Sequence, residues 1–323
     1  MSVTQRPEGA LRDPGALRDT RTPSRVGGRR VERSGGYVPY LIPGVLLFVA
    51  VIAVPLVMNL GISFTRWQGV GDPDWVGFDQ YQKLFTDETF WLSFRNNLAL
   101  VVAMAIIPTI LGLLLAAALF DVVSKKYPRT TTTLRAAFYL PQVLPAVVAG
   151  VVWGWILHPE NGAANAFLRL VGLDSWAQNW LGDERTALLS VMGVLVWIQI
   201  GYPLVIFMAG LQRVDPQLYE AAALDGASWW RRLWSVTVPQ IRQEIFVVLL
   251  TCTIAALKSF DKIFVLTGGG PGGSTLTPAY FSYRNFFVSN NVGYGAAIAT
   301  VLAAVIVVLS FLFLRAQNKE DAS

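Results

Sequence analysis

The side chains best suited to covalent chemistry are scarce in this sequence. One histidine, His158, and one cysteine, Cys252, stand among 323 residues. A lone cysteine can form neither an internal disulfide nor a thiolate metal cluster. A lone histidine removes most metal sites and nearly all imidazole acid–base catalysis. Gly268 and Gly273 have the spacing of a phosphate-binding loop, but Ser274 stands where that loop needs its lysine. The chain is therefore expected to hold no catalytic residue, no metal and no cofactor of its own.

The polar groups that remain of interest sit inside apolar stretches. Gln199 and Tyr202 lie in such a stretch beside Pro203. A proline frees backbone carbonyls that neighbours or water must satisfy. Breaks of this kind are expected beside a translocation path, although kinks that only aid packing are also common. Pro141 and Pro145 mark a second break, and Gly150 and Gly154 form a small-residue pair read as ordinary helix packing. Lys258, Asp261 and Lys262 fall toward the end of another apolar stretch, where pairing of Asp261 with Lys258 is expected to neutralise the charge.

The elements that must position these groups are membrane helices. Apolar residues make up 54% of the chain and charged residues only 15%, against roughly a quarter charged in a soluble domain. The apolar residues cluster in blocks of about 20, the length that crosses a bilayer as a helix. Six blocks qualify: 38–60, 97–120, 136–157, 187–211, 245–266 and 296–314. The predicted fold is an all-α polytopic membrane protein. A basic tail (1–37) precedes the six-span domain (38–314), and a short tail (315–323) follows it.

Orientation follows from lysine and arginine, which accumulate on cytoplasmic segments. Arg6, Arg12, Arg18, Arg21, Arg25, Arg29, Arg30 and Arg33 crowd the first tail, and a cytoplasmic N-terminus also places Lys125, Lys126, Arg129, Arg135, Arg213, Arg231, Arg232, Arg242, Arg315 and Lys319 inside. An even number of spans then returns the C-terminus to the cytoplasm. The tail is rich in Pro, Gly, Ser and Thr and is expected to be disordered. Its charge and the net +5 are explained by topology and anionic lipid headgroups, not by nucleic acid.

The segment 215–243 joins the fourth and fifth spans and reads as two short helices around a turn. Asp215 is an N-cap and Pro216 suits the first helical position. Ala221, Ala222 and Ala223 favour helix with almost no bulk. Asp225-Gly226 breaks the helix where glycine can turn left-handed. Ser228 caps the second helix, on which Trp230, Leu233 and Trp234 are spaced to share a face. Small residues permit close approach to a groove in another protein. A hairpin lying on the membrane accounts for the tryptophans and arginines, but not for the alanine-rich first helix.

The segments Glu220-Ala221-Ala222, Asp225-Gly226-Ala227 and Val236-Thr237-Val238-Pro239 together resemble the EAA loop of ABC importer permeases. That loop usually reads EAA, then a DGA turn, then I-x-L-P. Here Val236 and Val238 replace the usual Ile and Leu, and Gln243 stands where a second proline is frequent. The resemblance implies the type I importer permease fold, with Glu220, Ala221, Ala222, Asp225, Gly226 and Ala227 coupling to a cytoplasmic ATPase.

Further segments resemble the carbohydrate branch of that family: 75–98, 138–166, and the run from Ser259 through Gly268–Gly270 and Pro271 to Thr275, followed by Tyr280, Tyr283 and Phe287. The glycine-rich run is expected to form a compact turn at the outer mouth, or else a plain linker. The resemblance implies an ATP-driven sugar importer in a bacterial cell membrane. Its partners would be a second homologous permease, an ATPase dimer that uses ATP and Mg, and an extracytoplasmic solute-binding protein. Sugars are recognised by aromatic faces and by amide or hydroxyl groups, which makes Gln199, Tyr202, Trp153, Trp155, Trp197 and Phe260 candidates for the path. Permeases for glycerol phosphate or amino acids, a proton-coupled secondary transporter and a membrane-embedded enzyme are the alternatives. The last two leave the EAA loop unexplained.

Overall fold

A computed structural model describes residues 38–123 and 128–320; the predicted basic tail, Lys125, Lys126 and residues 321–323 lie outside them. Four helices are long and apolar enough to cross a membrane: α1 (Tyr40–Ile62), α3 (Glu88–Asp121), α7 (Ala187–Leu211) and the last, which passes the test over Val292–Gln317. Two bent pairs raise the number to as many as six if each pair is one span. The boundary between two compact units falls at Val51–Ile52, within α1. In the second unit, strands β1 (Thr65–Arg66) and β2 (Asp74–Trp75) form a small antiparallel ribbon after α1, and helix α2 (Asp79–Thr86) comes next.

The second predicted span is the apolar part of a longer helix. Helix α3 starts at Glu88 because Asp87 accepts the Thr89 N–H at 2.8 Å and caps it. The third, predicted over 136–157, is not one straight helix. Arg129–Val143 (α4) and Ala146–Ile156 (α5) meet at 97°. Pro145 is extended, with φ −54° and ψ 133°, since it lacks an N–H and excludes the preceding residue from the helical region.

The fifth predicted span, 245–266, is also interrupted. A helix α10 (Arg242–Leu257) ends at Lys258, and a separate helix α11 (Asp261–Leu266) follows. Asn97 donates to the Leu257 carbonyl at 3.2 Å, satisfying one of the groups freed by the break. At its other end α10 is bent by 76° from the helix before it. The last helix, α13 (Val292–Glu320), runs on into the predicted tail as far as Glu320, with no proline or glycine after Leu314 to break it there. The remaining helices are α6 (Ala163–Leu170), α8 (Pro216–Leu224), α9 (Trp229–Gln240) and α12 (Pro278–Tyr283).

Helix α3 crosses α7 in close contact. A Cβ on Gly112 would stand 2.7 Å from Pro203 Cβ, so only glycine fits there. The largest core joins these two helices and α10 to the loop after α7, through Leu204, Phe207, Leu211, Tyr219, Leu233 and Ile241. The loop is thus anchored in the same core as the membrane helices. Gly150 packs against Val265 of α11, whereas Gly154 faces open space.

Candidate functional site

Two arrangements stand out. The first is the helical hairpin α8–α9. Asp215 accepts the Gln217 N–H at 2.9 Å, and Pro216 opens the helix. Its C-terminus closes in a Schellman turn: the Gly226 N–H reaches the Ala223 carbonyl at 3.1 Å and the Ala227 N–H reaches that of Ala222 at 2.9 Å. Gly226 has φ +71°, a conformation that costs an L-residue roughly 1–2 kcal/mol. Ser228 then accepts the Arg231 N–H at 3.4 Å and starts α9.

The hairpin is braced from inside. Tyr219 is buried, and its hydroxyl lies 3.1 Å from that of Thr237 on α9. Burial pushes the Tyr219 phenol above its ordinary value. Arg213, at the end of α7, pairs with Glu244 at the start of α10, tying the two ends of the loop together. The opposite side of α8 is open. Glu220, Ala221 and Ala223 are exposed, and Leu224 is 89% exposed at the tip.

The second helix departs from its expected pattern. Leu233 is 2% exposed, but Trp230 and Trp234 are 57% and 63% exposed. Leu233, with Trp229, packs into the main core, whereas Trp230 and Trp234 lie outside it; the π-type turn Leu233–Thr237 follows. Arg232 is half-buried and lines a cavity of about 220 Å³ with Asp121, Tyr219 and Glu220.

The second arrangement is a polar cavity of about 280 Å³, lined by Gln142, Leu144, Ile198, Gln199, Ala255, Asp261 and Lys262 among others. Three chain breaks meet here. One is the bend at Pro145, the second is the gap between α10 and α11, and the third is the joint in α7 at Ile200. At that joint Gly201 lies against the Phe138 carbonyl, where a side chain would not fit. Broken helices inside a membrane are tolerated where they line a cavity.

Gln199 is the one predicted path residue on this lining. Its Nε2 donates to Cys252 Sγ at 3.2 Å. Lys262 lies 3.0 Å from Asp261 Oδ1 and 3.1 Å from Oδ2. Asp261 thus pairs with the adjacent lysine in place of the expected partner, Lys258. Gln142, not singled out in the sequence, was visible there as a polar residue between two prolines.

The other predicted path residues lie elsewhere. Tyr202 pairs its hydroxyl with Thr251 at 3.2 Å. Trp153 and Trp197 pack edge to face at 5.4 Å and face other cavities. Trp155 is exposed. Phe260 stacks within an aromatic group of Phe264, Tyr280 and Tyr283.

The glycine-rich run is a hydrogen-bonded turn and not a plain linker. Gly268, Gly269, Gly272 and Gly273 all have positive φ. Asn96, buried in α3, donates to the carbonyls of Gly273 at 2.9 Å and Leu276 at 3.1 Å. The hydroxyls of Thr267 and Thr275 meet at 2.7 Å across the turn. Among the described residues no group of His, Cys, Asp and Glu could hold a metal ion.

These features define a polytopic helical membrane protein whose broken helices line a polar cavity and in which two of the cavity-lining spans are joined by a braced helical hairpin. Residues 124–320 match the binding-protein-dependent transport system inner membrane components, and the chain belongs to that family. A probable ABC transporter permease of Pyrococcus horikoshii is 35% identical over 87% of this chain and 96% of its own length. The diacetylchitobiose uptake system permease of Streptomyces coelicolor is 33% identical over 82% of this chain and 77% of the relative. The multiple sugar-binding transport system permease of Streptococcus mutans is 32% identical over 87% and 94%. The fold is similar to that of a chain from a bacterial ABC transporter involved in import of the acidic polysaccharide alginate. The TM-score is 0.75 at 23% identity, over 87% of this chain and 94% of that one.

Proposed function

We propose that this chain is the permease subunit of an ATP-driven saccharide importer, with α8–α9 as its coupling hairpin. The observation that carries the reading is the form of α8: a small-residue surface with an exposed leucine tip, held rigid by the Tyr219–Thr237 brace. Such a knob fits a groove in a cytoplasmic ATPase. Glu220, Ala221, Ala222, Asp225, Gly226 and Ala227 form its docking edge. Arg213–Glu244 would pass its motion to α7 and α10, both of which border the cavity. In this reading both termini and the hairpin are cytoplasmic, and the glycine-rich turn faces a solute-binding protein.

The saccharide class is supported by relatives named for diacetylchitobiose and multiple-sugar transport. Amide groups at the cavity suit hydroxylated ligands. Gln199 heads the substrate path, and Tyr202, Trp153, Trp197 and Phe260 are assigned to its walls beyond the cavity. A second homologous permease would supply the other half of the path. ATP and Mg would be used by the ATPase alone, and rigid-body motion would alternate access.

The test is affinity purification of this chain from its native membrane in mild detergent, with cross-linking. Co-purification of a second permease and a P-loop ATPase supports the reading. Recovery of the chain alone, with uptake that collapses with the proton gradient, overturns it in favour of a secondary transporter.

A further inference from the structure

Resting on the saccharide reading, we propose that Asp261 is the charge-selectivity residue of the cavity: by neutralising Lys262 it restricts the site to uncharged saccharides. The charged residues of the lining are Asp261 and Lys262. The Lys262 ammonium is held by both carboxylate oxygens of Asp261, at 3.0 and 3.1 Å. Its side chain is largely covered, at 19% exposure. The lining therefore carries no net charge, and an anion entering it would lose water without gaining a free counter-charge.

The amides specify what enters instead. Gln142 Oε1 is buried without a hydrogen-bond partner among the described residues, so it asks for a donor. Among the described residues Gln199 Nε2 is engaged by a thiol sulfur at 3.2 Å, a weak acceptor that a better one can displace. A sugar hydroxyl supplies donor and acceptor together. About 280 Å³ leaves room for one ring or slightly more.

Asp261→Asn keeps the shape of the side chain and removes its charge, which leaves Lys262 as an unpaired cation in the cavity. The permease should then favour anionic saccharides. The experiment uses the purified transporter complex in detergent without its solute-binding protein, so that only the membrane site is read. Equilibrium binding is measured for two labelled probes, maltose and a glucuronic-acid-containing disaccharide.

Wild type and Asp261→Glu should bind maltose in preference. In Asp261→Asn the ratio of the two affinities should move toward the anionic probe by about tenfold or more, the scale of a charge-assisted hydrogen bond. Asp261→Asn with Lys262→Met should return the neutral preference. Gln142→Leu should weaken both probes alike by about tenfold, the scale of one hydrogen bond. Saccharide binding with an unchanged ratio in Asp261→Asn overturns the charge role and leaves the sugar reading standing. A wild-type complex that binds amino acids but neither saccharide overturns both.

Discussion

The hydroxyls of Tyr219 and Thr237 stand 3.1 Å apart in the buried interior of the hairpin, one on each of its helices. The pair links the exposed alanine surface of α8 to the helix that leads into α10. Tyr219→Phe keeps the ring and strands the Thr237 hydroxyl, at a cost of about 1–3 kcal/mol for an unsatisfied buried group. Trypsin should cut at Arg231 and Arg232 faster in the variant than in wild type. Equal cleavage rates would mean the brace does not hold the hairpin.

Glu220 is exposed at the rim of the cavity that it shares with Tyr219 and Arg232. Glu220→Lys should leave membrane insertion intact, with a stability loss of no more than about 1 kcal/mol from a second cation near Arg232. In the reconstituted importer it should abolish uptake while basal ATP hydrolysis continues. Gly226→Pro should produce the same uncoupling with a stability loss, because φ +71° is closed to proline. Normal uptake in both variants would remove the docking role.

Asn96 holds the glycine-rich turn through two carbonyls, those of Gly273 and Leu276. Asn96→Ala should cost about 1–3 kcal/mol for the Leu276 carbonyl left dry, while the Gly273 carbonyl keeps the Leu276 N–H at 3.0 Å. The midpoint of thermal unfolding in detergent should fall, and limited proteolysis should reveal new cuts between Thr267 and Thr275. A turn that stays protected in the variant would show that Thr267 and Thr275 hold it unaided.

Asp87 ties the start of α3 to the last helix. Burial works to raise its carboxyl pKa, but hydrogen bonds from the Tyr294 hydroxyl at 2.6 Å and from Thr89 outweigh this and hold it below its ordinary value of 3.8. A carboxylate with a lowered folded value stabilises the native state above its unfolded pKa. That contribution is lost as pH falls through the folded value. The stability difference between wild type and Asp87→Ala should therefore be full at neutral pH and shrink below about pH 4. A difference that is constant with pH would rule out the carboxylate as its source.

Local signals were legible in the sequence because their causes act within a few residues. Hydropathy marked apolar helices, and the Asp215, Gly226 and Ser228 signals found the caps and turn of the hairpin. The same reasoning failed where geometry depends on distant packing. Trp230 and Trp234 were expected beside Leu233, but only Leu233 packs into the main core. Asp261 was expected on Lys258, but it pairs with Lys262.

The sequence by itself determined the class of molecule: long apolar helices, two proline breaks and a small-residue hairpin. Only the tertiary structure decided which polar residues meet. Gln142, Gln199 and Asp261 lie far apart along the chain and converge because three separate breaks bend or interrupt their helices around one cavity. Proline and hydropathy act on the segment that contains them, whereas the direction of a bend and the partner it faces are set by packing across the whole helical assembly.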